Sequence, residues 1–241
     1  QVTTWNRTAG RLAPGATAST TVAEATSGAD VVLLSLLDGP ASRVVVEGLE
    51  AEPGTLVVNV ATIGPAESAE LAATATTAGL RYVEAPVLGS VPAVKGGRLR
   101  VLTAGEPADA RDAAGLLAAF SGDVRYTGPI GTACGLKLVA NAALGIAAAA
   151  VGEAVRAGRA LGLDPESVLD VLEAGQLGGL VGAKRDRLER AEYDGADFTV
   201  SALRKDLALI RSAVERLALV TVAEEAASSC PDDADIAAIM S

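Results

Sequence analysis

The chain contains no histidine. Ser-His-Asp and Cys-His catalysis, histidine-ligated zinc and imidazole proton shuttles are thereby excluded together, and no metal site is expected. Cysteine is nearly absent as well. Cys134 and Cys230 are the only two, too few for a disulfide framework, so a reducing cytoplasm is the expected compartment. Positive charge is in deficit: 20 Lys and Arg against 30 Asp and Glu leave a net charge of −10. That balance argues against nucleic acid and anionic membrane as partners, since both attract basic surfaces. No secretory signal pattern opens the chain. Long apolar runs are missing too, apart from an alanine-rich stretch near 138–151. Its small residues are interrupted by Asn141 and Gly145, which suits a buried helix better than a membrane span.

What the chain has is apolar content. Half of its 241 residues are hydrophobic and 21% are charged, enough for one large or two small domains with proper cores and unlike a disordered chain. The first half alternates strand and helix patterns. Residues 1–6 read as a strand, and further strand runs lie at Val31–Leu36, Leu56–Val60, Arg81–Val87 and Arg98–Thr103, with a weaker one at Asp123–Tyr126. Helical patterns near 40–49, 65–78 and 107–119 separate them. This rhythm predicts βαβ units and a mostly parallel sheet. The runs at 31–36 and 56–60 are almost continuously apolar, as expected where both sheet faces are covered. Beyond Gly128 only helical patterns follow, at 133–162, 166–174, 179–192, 199–216 and 219–229, with a short turn near 234–240. A Rossmann-like α/β domain over 1–129 and an all-helical domain over 130–241 are predicted, with the Gly- and Pro-punctuated segment 126–131 as the hinge.

A doubly wound sheet that holds a dinucleotide normally opens with a strand, a Gly-rich turn and a helix. No such turn stands at the start of this chain, and Gly10 and Gly15 come too late to supply it. The expectation is that residues 1–6 are the second strand of the unit. A first strand and Gly-rich turn, about 25–30 residues, would then precede Gln1, and without them the sheet would be interrupted beside residues 2–6. Asn6, Arg7 and Thr8 close this strand. The end of the second strand faces the adenosine ribose in such folds, where an arginine accepts a 2′-phosphate through its planar fork and favours NADP over NAD.

The helix beginning at 133 is about 45 Å long at 1.5 Å per residue. Lys137 and Asn141 lie four residues apart on one face of it, among Leu136, Leu138, Val139, Ala140, Ala142 and Ala143. A lysine in such apolar company either snorkels to water or faces a cleft, where partial desolvation makes it a useful proton donor. The helix is rich in small residues and poor in aromatics, which suits close approach of a second subunit and predicts a homodimer or larger homo-oligomer.

These segments, in this order, resemble the β-hydroxyacid dehydrogenases, the family of 3-hydroxyisobutyrate dehydrogenase and of the NADPH-dependent glyoxylate and succinic semialdehyde reductases. The resemblance runs from residue 2 to the end. Asn6-Arg7-Thr8 is similar to the family's cofactor-discriminating loop. Leu36-Leu37-Asp38 resembles its Leu-Pro-Asp segment beside the cofactor, and Asn59-Val60-Ala61-Thr62 its Asp-Met-Ser-Thr segment, which would bring Thr62 toward the nicotinamide. Glu84-Ala85-Pro86-Val87-Leu88-Gly89-Ser90 resembles the substrate loop, which implies carboxylate binding by Leu88, Gly89 and Ser90. Gly131 to Asn141 matches the family's catalytic helix start, which implies Lys137 as catalytic lysine and Asn141 as its substrate-binding partner. Phe198 with Lys205-Asp206 resembles the late Lys-Asp pair, whose lysine reaches the cofactor.

Three departures qualify the match. The Gly-rich phosphate loop is absent, Leu88 stands where the family has a serine, and the segment before Asp235 lacks the usual glycines. The activity implied is hydride transfer between NADP(H), with NAD(H) as second choice, and a small carboxylic acid bearing an aldehyde, ketone or hydroxyl. The enzymatic runner-up within the fold is an imine reductase, against which Lys137 weighs. A reading from another class is a non-catalytic dimerisation body that binds no nucleotide.

Overall fold

The computed structural model describes residues 1–8, 10–11 and 14–241. The chain divides into two compact units, the first comprising residues 1–89 and 93–137, the second residues 90–92 and 138–241. In chain order the elements are β1 (Thr3–Thr4), β2 (Thr17–Ala18), α1 (Val22–Thr26), β3 (Val31–Leu34), α2 (Gly39–Glu47), β4 (Leu56–Asn59), α3 (Pro65–Thr77), β5 (Arg81–Glu84) and β6 (Val87–Leu88). There follow α4 (Val91–Lys95), β7 (Leu99–Gly105), α5 (Pro107–Leu117), β8 (Ser121–Gly128), α6 (Thr132–Ala160), α7 (Pro165–Ala174), α8 (Gly178–Arg190), α9 (Val200–Ala213), α10 (Ala218–Ser228) and a 3₁₀ turn at Ile236–Met240.

The first unit is built on a six-stranded sheet in the order β3-β4-β5-β7-β6, with β8 paired to the other side of the path at β7. Strands β3, β4 and β5 are parallel. β4 is buried along its whole length, because helices cover both faces. Val57 and Tyr82 face a core completed by Val45 and Val46 of α2 and Leu71 and Ala75 of α3. Leu56, Val58 and Val83 face the opposite core, closed by Ala113 and Leu117 of α5. The covering helices start where their caps dictate: Asp38 accepts from the Ala41 N–H at 2.9 Å with Pro40 in the first turn, and Glu67 accepts from the Gly64 N–H at 2.7 Å ahead of Pro65.

Three features depart from the sequence prediction. The sheet is mixed, since β7 runs antiparallel to β5 and β6. The segment between β5 and β7 is spent on β6 and α4, so no long helix crosses over there and β7 returns in the opposite sense. The opening strand is shortened to Thr3–Thr4 and pairs in parallel with β2, which the sequence reading did not foresee; the two stand apart from the larger sheet. Finally, β3 is not covered on both faces: it forms an edge of the sheet, and Val31 and Leu33 are 37% and 43% exposed.

The second unit is all helical. Leu138, Ala142, Ala148 and Val151 of α6 share one core with Leu169 of α7, Val181 of α8, Leu203, Leu207 and Ile210 of α9, Val220 and Ala223 of α10, and Ile236 and Met240 of the 3₁₀ turn. Length and composition alone would let α6 cross a membrane, and 44% of its most apolar 18-residue window is buried in the protein. Asp235 is fully buried and ties the C-terminus down: Lys184 Nζ lies 2.8 Å from one of its oxygens, the Ala237 and Asp197 N–H groups donate at 3.0 and 3.1 Å.

Candidate active site

The parallel strands β3, β4 and β5 end in register at Leu34, Asn59 and Glu84. The segments that carry Leu36, Leu37 and Thr62 leave from this edge, the carboxyl end of the strands, where open α/β sheets bind ligands. Leu36 is half-buried against the α2/α3 core and Leu37 is 64% exposed. The β4 exit is held by Asn59. Its amide nitrogen donates to the Tyr82 hydroxyl at 3.1 Å and its carbonyl oxygen accepts from the Ala61 N–H at 3.0 Å. Ser68 completes this buried cluster, 3.3 Å from the same hydroxyl. The turn bearing the half-buried Thr62 is thereby fixed from below. Burial also pushes the Tyr82 hydroxyl pKa up, more strongly than its hydrogen bonds from Ser68 and Asn59 bring it down, so it serves as a neutral strut.

Asn6, Arg7 and Thr8 follow β1 and are exposed. The Asn6 side-chain oxygen accepts from the Thr8 N–H at 2.9 Å, an Asx turn with Arg7 at its apex. As a donor set these groups fit a nicotinamide dinucleotide: Arg7 offers a guanidinium of the kind that pairs with phosphate, and the segments bearing Leu36, Leu37 and Thr62 follow the carboxyl ends of β3 and β4. Among the described residues no Gly-rich strand-to-helix turn supplies a pyrophosphate cradle.

Glu84 governs the next step along the chain. Its carboxylate is fully buried and accepts the N–H groups of Gly131, Ala133 and Cys134, the last two at 3.1 Å each. Those groups are orphan donors at the N-terminus of α6. Cys134 is buried behind this cap, and burial, reinforced by the Glu84 charge, pushes its thiol pKa up, which makes it a small core residue without nucleophilic character. Leu88 is half-buried, while Gly89 is exposed with φ +121°, and a Cβ there would lie 2.9 Å from Ala93 Cβ and Leu99 Cδ2. Only glycine fits, and the backbone at 88–90 is free of a side chain at its centre.

Lys137 and Asn141 are 8% and 5% exposed, so Lys137 is buried and the snorkelling alternative fails. The Asn141 amide nitrogen donates to Asp206 Oδ2 at 2.5 Å, and Lys205 Nζ sits 2.7 Å from Asp206 Oδ1. Asp206, itself 2% exposed, thus joins two residues picked from the sequence. In the first unit lie Asn6, Arg7, Thr8, Leu36, Leu37, Thr62, Leu88, Gly89 and Lys137; Ser90, Asn141 and Lys205 belong to the second. Two groups escaped the sequence reading, Glu84 and Asp206. Both stand inside quoted motifs, and the signal that could have found them is an acidic residue within an otherwise apolar, buried pattern.

Residues 1–128 match the NAD binding domain of 6-phosphogluconate dehydrogenase, and residues 131–237 match the NAD-binding region of NADP-dependent 3-hydroxyisobutyrate dehydrogenase. An uncharacterized oxidoreductase of Synechocystis sp. is 30% identical over 213 residues, 85% of this chain and 73% of that protein. The NAD-dependent L-serine dehydrogenase of Pseudomonas aeruginosa is 28% identical over 229 residues, 88% of this chain and 75% of its own length. Among solved structures, 3-hydroxyisobutyrate dehydrogenase of Mycobacterium tuberculosis with L-serine is similar at a TM-score of 0.83 and 24% identity, covering 94% of this chain and 83% of that one. With both halves matched in order and the α/β-then-helical architecture in place, the chain belongs to the 3-hydroxyisobutyrate dehydrogenase family of NAD(P)-dependent oxidoreductases, which act on the CH–OH groups of hydroxy acids.

Proposed function

We propose that this chain interconverts a short carboxylic acid bearing an aldehyde or ketone with its hydroxy acid, uses NADP(H) in preference to NAD(H), and employs Lys137 as the proton donor and acceptor. The observation that carries the reading is Lys137 itself: a buried lysine on an apolar helix, one turn from a buried Asn141 whose amide Asp206 orients. When bound, the nicotinamide supplies or accepts the hydride. Hydride delivery to a carbonyl carbon builds negative charge on its oxygen. The Lys137 ammonium stabilises that charge and gives up a proton to it; in the oxidative direction the neutral amine takes the hydroxyl proton. Asp206 accepts from the Asn141 amide nitrogen and so fixes the orientation of that side chain, one turn along the helix from the lysine. The Ser90 hydroxyl and the backbone N–H groups at 88–90 are suited to the substrate carboxylate, with Ser90 taking the place that Leu88 vacates. Arg7 is suited to the 2′-phosphate.

A homodimer joined through α6 fits this reading, because Leu136 and Val139 are 49% and 59% exposed on that helix, and two free thiols suit a reducing cytoplasm. Carbonyl rather than imine reduction is favoured by the lysine, which can deliver a proton to oxygen at neutral pH. Lys137→Ala should cut turnover of a semialdehyde acid about 10²–10⁴-fold while NADPH affinity, followed by fluorescence, stays within about twofold. Lys137→Arg should be nearly as slow, because a guanidinium holds its proton. Wild-type turnover in Lys137→Ala would sink the mechanism.

A further inference from the structure

We infer that Glu84 is the positioning residue for Lys137: its carboxylate fixes the first turn of α6, and with it the point from which the lysine projects. The inference rests on the proposed role of Lys137. Glu84 is the last residue of β5, paired in register with Asn59 of the neighbouring strand β4, so its backbone is immobilised by the sheet. Its side chain is 0% exposed and reaches three donors around the helix start, the N–H groups of Gly131, Ala133 and Cys134. The carboxylate thus grips backbone N–H groups on both sides of the first residue of α6. An anion at a helix N-terminus meets both the orphan donors and the positive end of the macrodipole. Gly131 adopts φ +95°, so the chain turns sharply into the helix at the point the carboxylate grips. Lys137 follows Ala133 by one turn, about 6 Å along the axis, and helical side chains slant back toward the N-terminus. A rotation or fraying of the first turn would therefore swing the ammonium directly. Asn59 does the same for the neighbouring segment at 61–62 through the Ala61 N–H, so two adjacent strand ends each carry a polar side chain that anchors the segment bearing a site residue.

The test compares wild type with Glu84→Gln and Glu84→Asp as full chains. Glutamine keeps the shape but offers one acceptor and turns N–H against N–H; aspartate keeps the charge and falls one methylene short. Two readouts need no turnover: backbone hydrogen exchange in the peptide covering 131–138, and the rate at which an N-hydroxysuccinimide ester labels the Lys137 amine, both by mass spectrometry. Glu84→Gln is expected to speed exchange at 131–138 by about 10- to 100-fold and Lys137 labelling by about tenfold, with α3 and β7 unchanged and Glu84→Asp intermediate. Unchanged labelling of Lys137, or acceleration spread equally over the whole unit, would overturn the assignment. Turnover is measured in parallel: kcat should fall in Glu84→Gln with NADPH affinity retained and recover in part in Glu84→Asp. A wild-type chain that labels as expected yet turns over no hydroxy or semialdehyde acid would count against the proposed function and leave Glu84's role standing.

Discussion

On the proposed reading, one side chain, Arg7, sets the cofactor preference. The Asx turn from Asn6 to Thr8 holds the backbone on either side of Arg7 and so fixes the point from which its side chain leaves. A 2′-phosphate gives it a charge-assisted, two-pronged partner that a ribose hydroxyl cannot match. Arg7→Ala should weaken NADPH binding about 10- to 100-fold and leave NADH within about twofold, measured by titration of each cofactor. Equal losses for both would assign Arg7 to the fold of the turn. At this scale the sequence exposed residues whose chemistry clashes with their surroundings. Lys137 and Asn141 interrupt an apolar helix and announce themselves. Glu84 and Asp206 were harder to see, because what makes them matter lies 47 and 65 residues away along the chain. The partners of Glu84 include backbone N–H groups, which every residue but proline carries and no pattern reveals.

Elements whose signal is local were legible to within a few residues. Helices α2, α3 and α7 begin at a cap followed by proline, and α6 was expected over 133–162 against an observed Thr132–Ala160. Elements defined by pairing were not: β2, two residues long, exists through its partner β1, and the antiparallel sense of β7 is a property of the sheet. Close helix packing is similarly silent in sequence, since a helical glycine reads as a weakness. Gly152 of α6 is a position where glycine is required, because a Cβ there would lie 2.1 Å from the Ile239 carbonyl oxygen. Gly115 in α5 has open space around its Cβ direction. The same substitution should thus act with opposite sign. Gly115→Ala should stabilise the protein by about 0.5–1 kcal/mol through helix propensity, whereas Gly152→Ala should destabilise it by about 1–3 kcal/mol as the 3₁₀ turn is pushed off. Urea midpoints of the two variants check this, and a stabilising Gly152→Ala would mean that the turn yields freely.

At the scale of the whole molecule, each unit closes on its own: helices cover both faces of the sheet in the first, and the helical unit closes over the C-terminal 3₁₀ turn. The second closure depends on a charge. Asp235 is buried, which by itself raises its pKa, yet the Lys184 ammonium and the N–H groups of Ala237 and Asp197 outweigh burial and hold it below the usual carboxylate value. A carboxyl with a depressed native pKa contributes stability that is complete above its unfolded value, about 3.9. That contribution fades as pH falls from there through the lower native value. The rest of the chain also responds to acid, because its 30 acidic side chains neutralise while 20 cations remain; a comparison with Asp235→Asn cancels that shared response. At pH 6 Asp235→Asn should lose about 3 kcal/mol, since it strands Lys184 beside a neutral amide in a nearly buried site. Below pH 3 the gap between the two proteins should narrow steadily as wild-type Asp235 takes up its proton. Urea unfolding followed by circular dichroism between pH 2 and 7 measures the gap directly. A difference that stays constant across this range would show that Asp235 holds the turn by shape and hydrogen bonding alone, with no contribution from its charge.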